Sequence, residues 1–173
     1  MNLAVRRLQA GDAGRYREIR LEGLRTEPVA FTSDYDREVG RTAEDVGAQL
    51  ERSFIFGAFD GERLVGLSGY YVEATEKTRH RGHVVGVYVR PEARGKGASG
   101  ALFEALIASA RNRVTQLHLA VVTENEPARR LYERFGFRIY GTDPRGVQLG
   151  GRFYDDYLMV LRLDEGSKES DEK

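Results

Sequence analysis

Val84-Val85-Gly86-Val87-Tyr88-Val89-Arg90-Pro91-Glu92-Ala93-Arg94-Gly95-Lys96-Gly97-Ala98-Ser99-Gly100-Ala101-Leu102 joins an apolar β-branched run to a glycine-rich basic turn and the opening of a helical segment. Val84 to Val89 predicts a strand, Arg90-Pro91 ends it, and Ala101 to Arg113 predicts a helix. A strand, a turn of this composition and a helix start together make an anion cradle. Backbone N–H groups at a helix start lack partners, and the helix dipole favours negative charge there. Glycine lets the backbone approach an anion with no Cβ in the way. The ligand implied carries phosphate.

Two phosphate-binding patterns can be tested against this turn. A P-loop needs Gly-Lys-Ser/Thr, and Lys96 is followed by Gly97, so that pattern fails. Gly95-x-Gly97-x-x-Gly100 does satisfy the dinucleotide fingerprint, with Glu124 at roughly the expected distance beyond it. That fingerprint wants a tight turn directly after the first strand of its domain. Here the segment Arg90 to Arg94 intervenes, and three predicted strands come before.

A second motif decides between the readings. Asn125-x-x-Ala128-x-x-Leu131-Tyr132-x-x-x-Gly136-Phe137 follows a predicted strand and spans a short helix. Paired with Arg94-x-x-Gly97-x-Ser99, it resembles the GNAT superfamily of N-acetyltransferases over roughly Leu3 to Leu163. Ser99 departs from the family's Gly or Ala; it is small, and Gly100 follows it.

The resemblance implies acetyl-CoA as the donor, and coenzyme A as the product. Its pyrophosphate would be held by the backbone N–H groups of Gly95, Lys96, Gly97, Ala98, Ser99 and Gly100, with Arg94 and Lys96 adding charge. The backbone of Val87 and Val89 would pair with the pantetheine arm after a bulge that Gly86 could ease, and an N–H there would polarise the thioester oxygen. Asn125 and Ala128 would contact the donor, and Asn125 also reads as a plain N-cap. Tyr132 would protonate the leaving thiolate, since a phenol near sulfur can donate as charge develops. Spacing alone also puts Ala128, Leu131, Tyr132 and Phe135 on the core face of a helix.

Many relatives carry a Glu as general base eleven residues ahead of the Arg/Gln; here that position is His83, with His80, Glu73 and Glu76 as rivals. An exposed histidine at a strand edge, or deprotonation through ordered water, would serve the same sequence. Acceptor choice is assigned to the segments Val29 to Arg41, Glu73 to Arg81 and Gly146 to Asp156. Phe31, Tyr35, Glu73, Tyr154 and Asp155, with Asp34, Asp36 and Asp156, are candidates to line the pocket, because carboxylates with aromatics suit a cationic amine. Val29 to Arg41 is otherwise expected to be irregular.

Composition sets the bounds. A chain of 173 residues, 40% apolar, is expected to fold as one domain. With 27 basic and 27 acidic residues, overall charge gives no affinity for nucleic acid or a membrane surface. Cysteine is absent and there are three histidines, so neither an acyl-cysteine route nor a metal site is indicated. No run approaches a membrane span, and no secretion signal opens the chain, so a cytoplasmic location is expected.

The predicted order is β-α-α-β-β-β-α-β-α-β-β. The fold class is α/β, with a mixed, mostly antiparallel sheet of about seven strands and about four helices. In it, Asp12 caps the first helix, Thr42-Ala43-Glu44-Asp45 caps the second, and Asp60-Gly61 turns a hairpin. A Gly-rich loop separates the last two strands, Arg138 to Thr142 and Arg152 to Leu163. An acetyltransferase domain is expected over 1–163. Residues 164–173, with seven charges, read as a disordered tail.

The expected activity is direct acetyl transfer to a primary amine in a ternary complex, with a small-molecule acceptor. Protein N-termini or lysines, and a non-catalytic acyl-CoA sensor, are the alternatives. A homodimer is left open.

Overall fold

The computed structural model describes residues 2–164; apart from Asp164, the expected tail lies outside them. Seven strands form one sheet: β1 (Leu3–Arg7), β2 (Phe54–Asp60), β3 (Arg63–Val72), β4 (Arg81–Val89), β5 (Gln116–Val122), β6 (Arg138–Leu149) and β7 (Arg152–Arg162). Their spatial order is β1-β2-β3-β4-β5-β7-β6. Only β4 and β5 run parallel; the other pairings are antiparallel.

Period-two alternation in the strands divides the core into two layers. On one face, α4 (Ala98–Arg111) and α5 (Glu126–Arg134) bury Leu102, Phe103, Leu106 and Leu131 against Val65, Val84, Leu117 and Met159. On the other, α1 (Ala13–Thr26) and α3 (Ala43–Arg52) bury Tyr16, Ile19, Leu24, Val46 and Leu50 against Ile55, Leu64, Leu67 and Tyr88. The mixed α/β architecture is the one expected.

Thr42 caps α3 as expected, its Oγ1 accepting from Asp45 N at 3.1 Å. Four local expectations are corrected. The segment 29–41 is not irregular throughout, because Tyr35–Val39 forms a further short helix, α2. The first hairpin turns on Gly61-Glu62, one residue later than expected, with Gly61 at φ +60°. The expected Gly-rich loop is mostly strand: β6 runs on to Leu149, and only Gly150-Gly151, both at positive φ, make the turn. Asp12 does not cap α1 with its side chain. Its carboxylate instead accepts two hydrogen bonds from Arg6, both 2.8 Å, and one from Gln9 N at 2.9 Å.

Those contacts, the Arg6 hydrogen bond first, hold the Asp12 carboxyl below the usual carboxylate range. A depressed carboxyl stabilises the fold above its unfolded value, near 3.9, and loses that contribution as pH falls through the folded value. Melting temperatures followed from pH 7 to pH 2 should therefore drop below about pH 4 in the wild type. Asp12→Asn should melt lower at neutral pH and show a shallower acid limb.

Candidate functional site

The site begins with a fault in strand pairing. β4 and β5 pair only at Arg81–Gln116, Gly82–Leu117 and His83–His118, and beyond these pairs the strands carry no further register. On its other edge, β4 pairs with β3 through Gly69–Val85 and then Leu67–Tyr88, so that Gly86 and Val87 together face Ser68. This is a bulge, and Gly86 occupies it at φ +66°, a conformation that costs glycine nothing.

The bulge shifts the alternation by one residue. Val84 packs toward α4, Tyr88 toward α1, and Val87 and Val89 again toward α4. Arg90 N donates to Val65 O at 2.9 Å. Alternation then turns the amides of Val87 and Val89 to the gap side of the strand.

The cradle lies at the end of this strand. A 3-10 turn, Pro91–Ala93, leads into Arg94, then Gly95 at φ +71°, Lys96 and Gly97 at φ +90°, and α4 starts at Ala98. This is one turn earlier than expected, because Gly97 in the left-handed region serves as the N-cap. Ala101 N is the first of these amides to find a backbone acceptor, Gly97 O at 3.0 Å. The N–H groups of Gly95 through Gly100 donate to no acceptor among the described residues. A Cβ built at Gly95, Gly97 or Gly100 would meet nothing within 4 Å. Free donors over open space fit a phosphate group.

Arg94 is engaged differently from expectation. Its Nε donates to Val89 O at 2.9 Å, on the gap edge of β4, and its Nη2 pairs with Glu27 at the end of α1. Lys96 is exposed on the turn.

A charge network that sequence reasoning missed ties this strand end to α1. The buried Arg90 bonds Glu18 at 2.8 Å and Glu22 at 2.9 Å. Tyr88 Oη donates to the same Glu22 carboxylate at 2.9 Å and lies 3.2 Å from Thr26 Oγ1. Glu18 and Glu22 stand one helical turn apart, but nothing local links them to a residue more than sixty positions later.

Tyr132 is buried between Phe103 and Phe137, with ring centroids at 5.3 and 6.1 Å. Burial pushes its phenol well above the ordinary value, with the Glu27 charge adding to the shift. Its hydroxyl makes no hydrogen bond among the described residues. Asn125 is the N-cap of α5, its Oδ1 accepting from Ala128 N at 3.3 Å.

His83 stands at the last position of β4 that pairs with β5. Its Nε2 lies 2.6 Å from Glu73 Oε1, its ring stacks on Tyr71 at 5.0 Å, and His118 is 5.6 Å away. The His83 hydrogen bond is the largest cause holding the Glu73 carboxyl below the usual range. Burial, followed by Arg81 and His83, pushes His118 down.

The expected acceptor residues divide into three places. Phe31 and Tyr35 line a cleft of about 340 Å³ between the segment 28–35 and the β6 residues Gly146 to Leu149. Glu73 belongs instead to the His83 cluster. Tyr154 and Asp155 lie in the β6–β7 hairpin: the Arg152 guanidinium covers the Tyr154 ring at 4.5 Å, and Asp155 Oδ1 accepts from Arg145 N at 2.8 Å.

Known proteins resemble this chain in sequence and in fold. The model of the acetyltransferase (GNAT) family matches residues 18–137. The L-amino acid N-acetyltransferase of Escherichia coli K12 is 30% identical over 96 residues, 53% of this chain and 59% of that protein. The L-methionine sulfoximine/L-methionine sulfone acetyltransferase of Pseudomonas aeruginosa is 39% identical over 79 residues, 45% of this chain and 46% of that protein. The chain thus spans between about half and two thirds of the length of the curated relatives it matches. A GNAT-family acetyltransferase structure from Streptococcus pneumoniae has a TM-score of 0.83 at 26% identity, over 93% of this chain and 99% of that one. A Salmonella typhimurium structure with acetyl-CoA shares the fold, with a TM-score of 0.78 at 22% identity over 94% and 95% of the two chains.

The capping contact of Asn125 has a measurable weight. Asn125→Ala should lower unfolding stability by about 1 kcal/mol in urea titrations, and Asn125→Asp should restore most of it.

Proposed function

The chain belongs to the GNAT acetyltransferase family, and we propose that it moves an acetyl group from acetyl-CoA to the primary amine of a small molecule by direct attack in a ternary complex. The observation that carries this reading is the run of unpartnered N–H groups from Gly95 to Gly100, at the mouth of the gap between β4 and β5. Acetyl-CoA, when bound, supplies the acetyl group as an activated thioester.

This chain's own residues would do the rest. The Gly95–Gly100 amides and the Lys96 ammonium bind pyrophosphate. The gap-facing N–H of Val87 or Val89 polarises the carbonyl oxygen of the acetyl group. Tyr132 Oη holds a proton across the physiological range, since burial keeps its phenol neutral, and neutrality is the form a proton donor needs. His83 donates through Nε2 to Glu73, which leaves Nδ1 as the atom able to take the amine's proton. The absence of cysteine in the chain leaves no thiol to carry an acyl group, in keeping with direct transfer.

A small acceptor suits a cleft of about 340 Å³, within the size range of small-molecule sites. The relatives named for amino-acid substrates support the same class. The test is calorimetric titration with acetyl-CoA, coenzyme A and NAD, followed by free-thiol release over a panel of amines and basic peptides. Acetyl-CoA binding with thiol release on small amines is the expected result. Preferential NAD binding would overturn the reading, and release on peptides alone would overturn the small-molecule acceptor.

Two variants separate the roles. Tyr132→Phe should lower turnover at least tenfold while acetyl-CoA affinity stays within about twofold; unchanged turnover would remove Tyr132 as the acid. Gly97→Asp places a side chain at φ +90° and a negative charge in the cradle, and should weaken acetyl-CoA binding at least tenfold in a folded protein. Undiminished affinity would move the phosphate site elsewhere.

A further inference from the structure

Arg94 opens the glycine-rich turn, yet its guanidinium is engaged away from that turn. Nε donates to Val89 O at 2.9 Å, and Nη2 pairs with Glu27 at the end of α1. Arg90 N donates to Val65 O on β3, so alternation points the backbone groups of Val89 to the other edge of β4, into the gap. The guanidinium is therefore held at the gap edge, with Cζ 5.8 Å from the Tyr88 ring centroid. It ties that edge to α1. The acetyl-transfer reading assigns the same Val89 carbonyl to the pantetheine arm, so Arg94 and the arm contend for one acceptor.

The hold on Arg94 is loose. The Arg94 and Glu27 side chains are 47% and 35% exposed, and an ion pair so open to water is weak. Arg90, four residues earlier, is buried against Glu18 and Glu22 and has no such freedom. A phosphate would offer the Arg94 fork two charge-assisted hydrogen bonds at once. The unpartnered amides start at the very next residue, Gly95, so a phosphate seated on them lies within a side chain's length of Arg94.

We infer that Glu27 is a positioning residue that competes with the donor's phosphate for Arg94. With the donor absent, Glu27 keeps the guanidinium on the Val89 edge of the gap. A bound phosphate takes the guanidinium over, which frees Val89 O for the pantetheine arm and leaves Glu27 to water. When coenzyme A leaves, Glu27 takes Arg94 back. The exchange costs the site part of its affinity for donor and product alike, so neither is held more tightly than turnover needs. The inference rests on the acetyl-CoA reading of the cradle.

The test is a double-mutant cycle on the full chain, read as binding of acetyl-CoA and of coenzyme A by calorimetry. Glu27→Gln should bind both about two- to fivefold more tightly than the wild type, the range that a weak ion pair can withhold. Structural damage would weaken binding, so a gain separates competition from a merely structural role. Arg94→Gln should bind both more weakly than the wild type. In the Arg94→Gln background, Glu27→Gln should tighten binding by a smaller factor than it does with Arg94 present. A carboxylate that only repels the donor would tighten binding at least as much without Arg94 as with it. That result, or unchanged or weaker binding in Glu27→Gln alone, would overturn the exchange and leave the donor reading intact.

Inorganic pyrophosphate, titrated against the same four proteins, separates the exchange from the donor reading. If acetyl-CoA binds none of them and pyrophosphate reproduces the cycle, the exchange stands and the donor reading fails. If pyrophosphate and acetyl-CoA both bind none of them, the exchange is overturned as well.

Discussion

One extra residue on β4, opposite Ser68, is the constraint from which the rest of the site follows. A regular β4 would keep a single alternation from Arg81 to Val89 and could pair with β5 along its whole length. With Gly86 in the left-handed region, the strand changes phase, bends and leaves β5 after three paired positions. The gap exposes backbone donors on β4 that a continuous sheet would consume. The same phase change sends Tyr88 toward α1 while Val87 and Val89 stay with α4. One strand end therefore faces the gap with its amides and braces the opposite helix with a side chain.

That bracing is electrostatic and unequal in strength. The Arg90 side chain is 7% exposed and bonds two carboxylates of α1. Removing the two carboxylates would leave the buried Arg90 charge without compensation, which makes the contact hard to break. The Arg94–Glu27 pair is far more exposed, at 47% and 35%, and pairs of that kind contribute roughly 0–1 kcal/mol. The two arginines thus form a fixed clamp beside a weak one. The weak one stands next to the Gly95–Gly100 turn, where its guanidinium can change partners at little cost.

Much of this was readable before any coordinates. The glycine turn and the Asn125–Phe137 motif are local patterns, and local conformation is enough to place them. The phase change at Gly86 was also signalled locally, by a glycine inside a β-branched strand. Other features were not legible because they depend on pairing between distant segments. The Arg90–Glu22 contact joins residues whose separation no periodicity reports. The connection between the last two strands reads as a loop because Pro144 and Gly146 look like loop punctuation, while the structure absorbs them as a bulge within a long strand. Tyr154, Asp155 and Asp156 all read as pocket candidates, yet strand alternation leaves Asp155 exposed and turns Asp156 into the interior. A shift of one residue in a strand exchanges the two faces, and only the register decides which face a carboxylate occupies.

The formal net charge of zero conceals a separation of charge with a chemical logic. The cradle gathers Lys96, Arg94 and unpartnered N–H groups at one end of the gap, while the hairpin gathers Asp143, Asp155 and Asp156 beyond its far wall. A carboxylate beside the reacting nitrogen would bind an ammonium well and also stabilise it in its protonated form, which cannot attack. Setting the carboxylates one strand away removes that conflict.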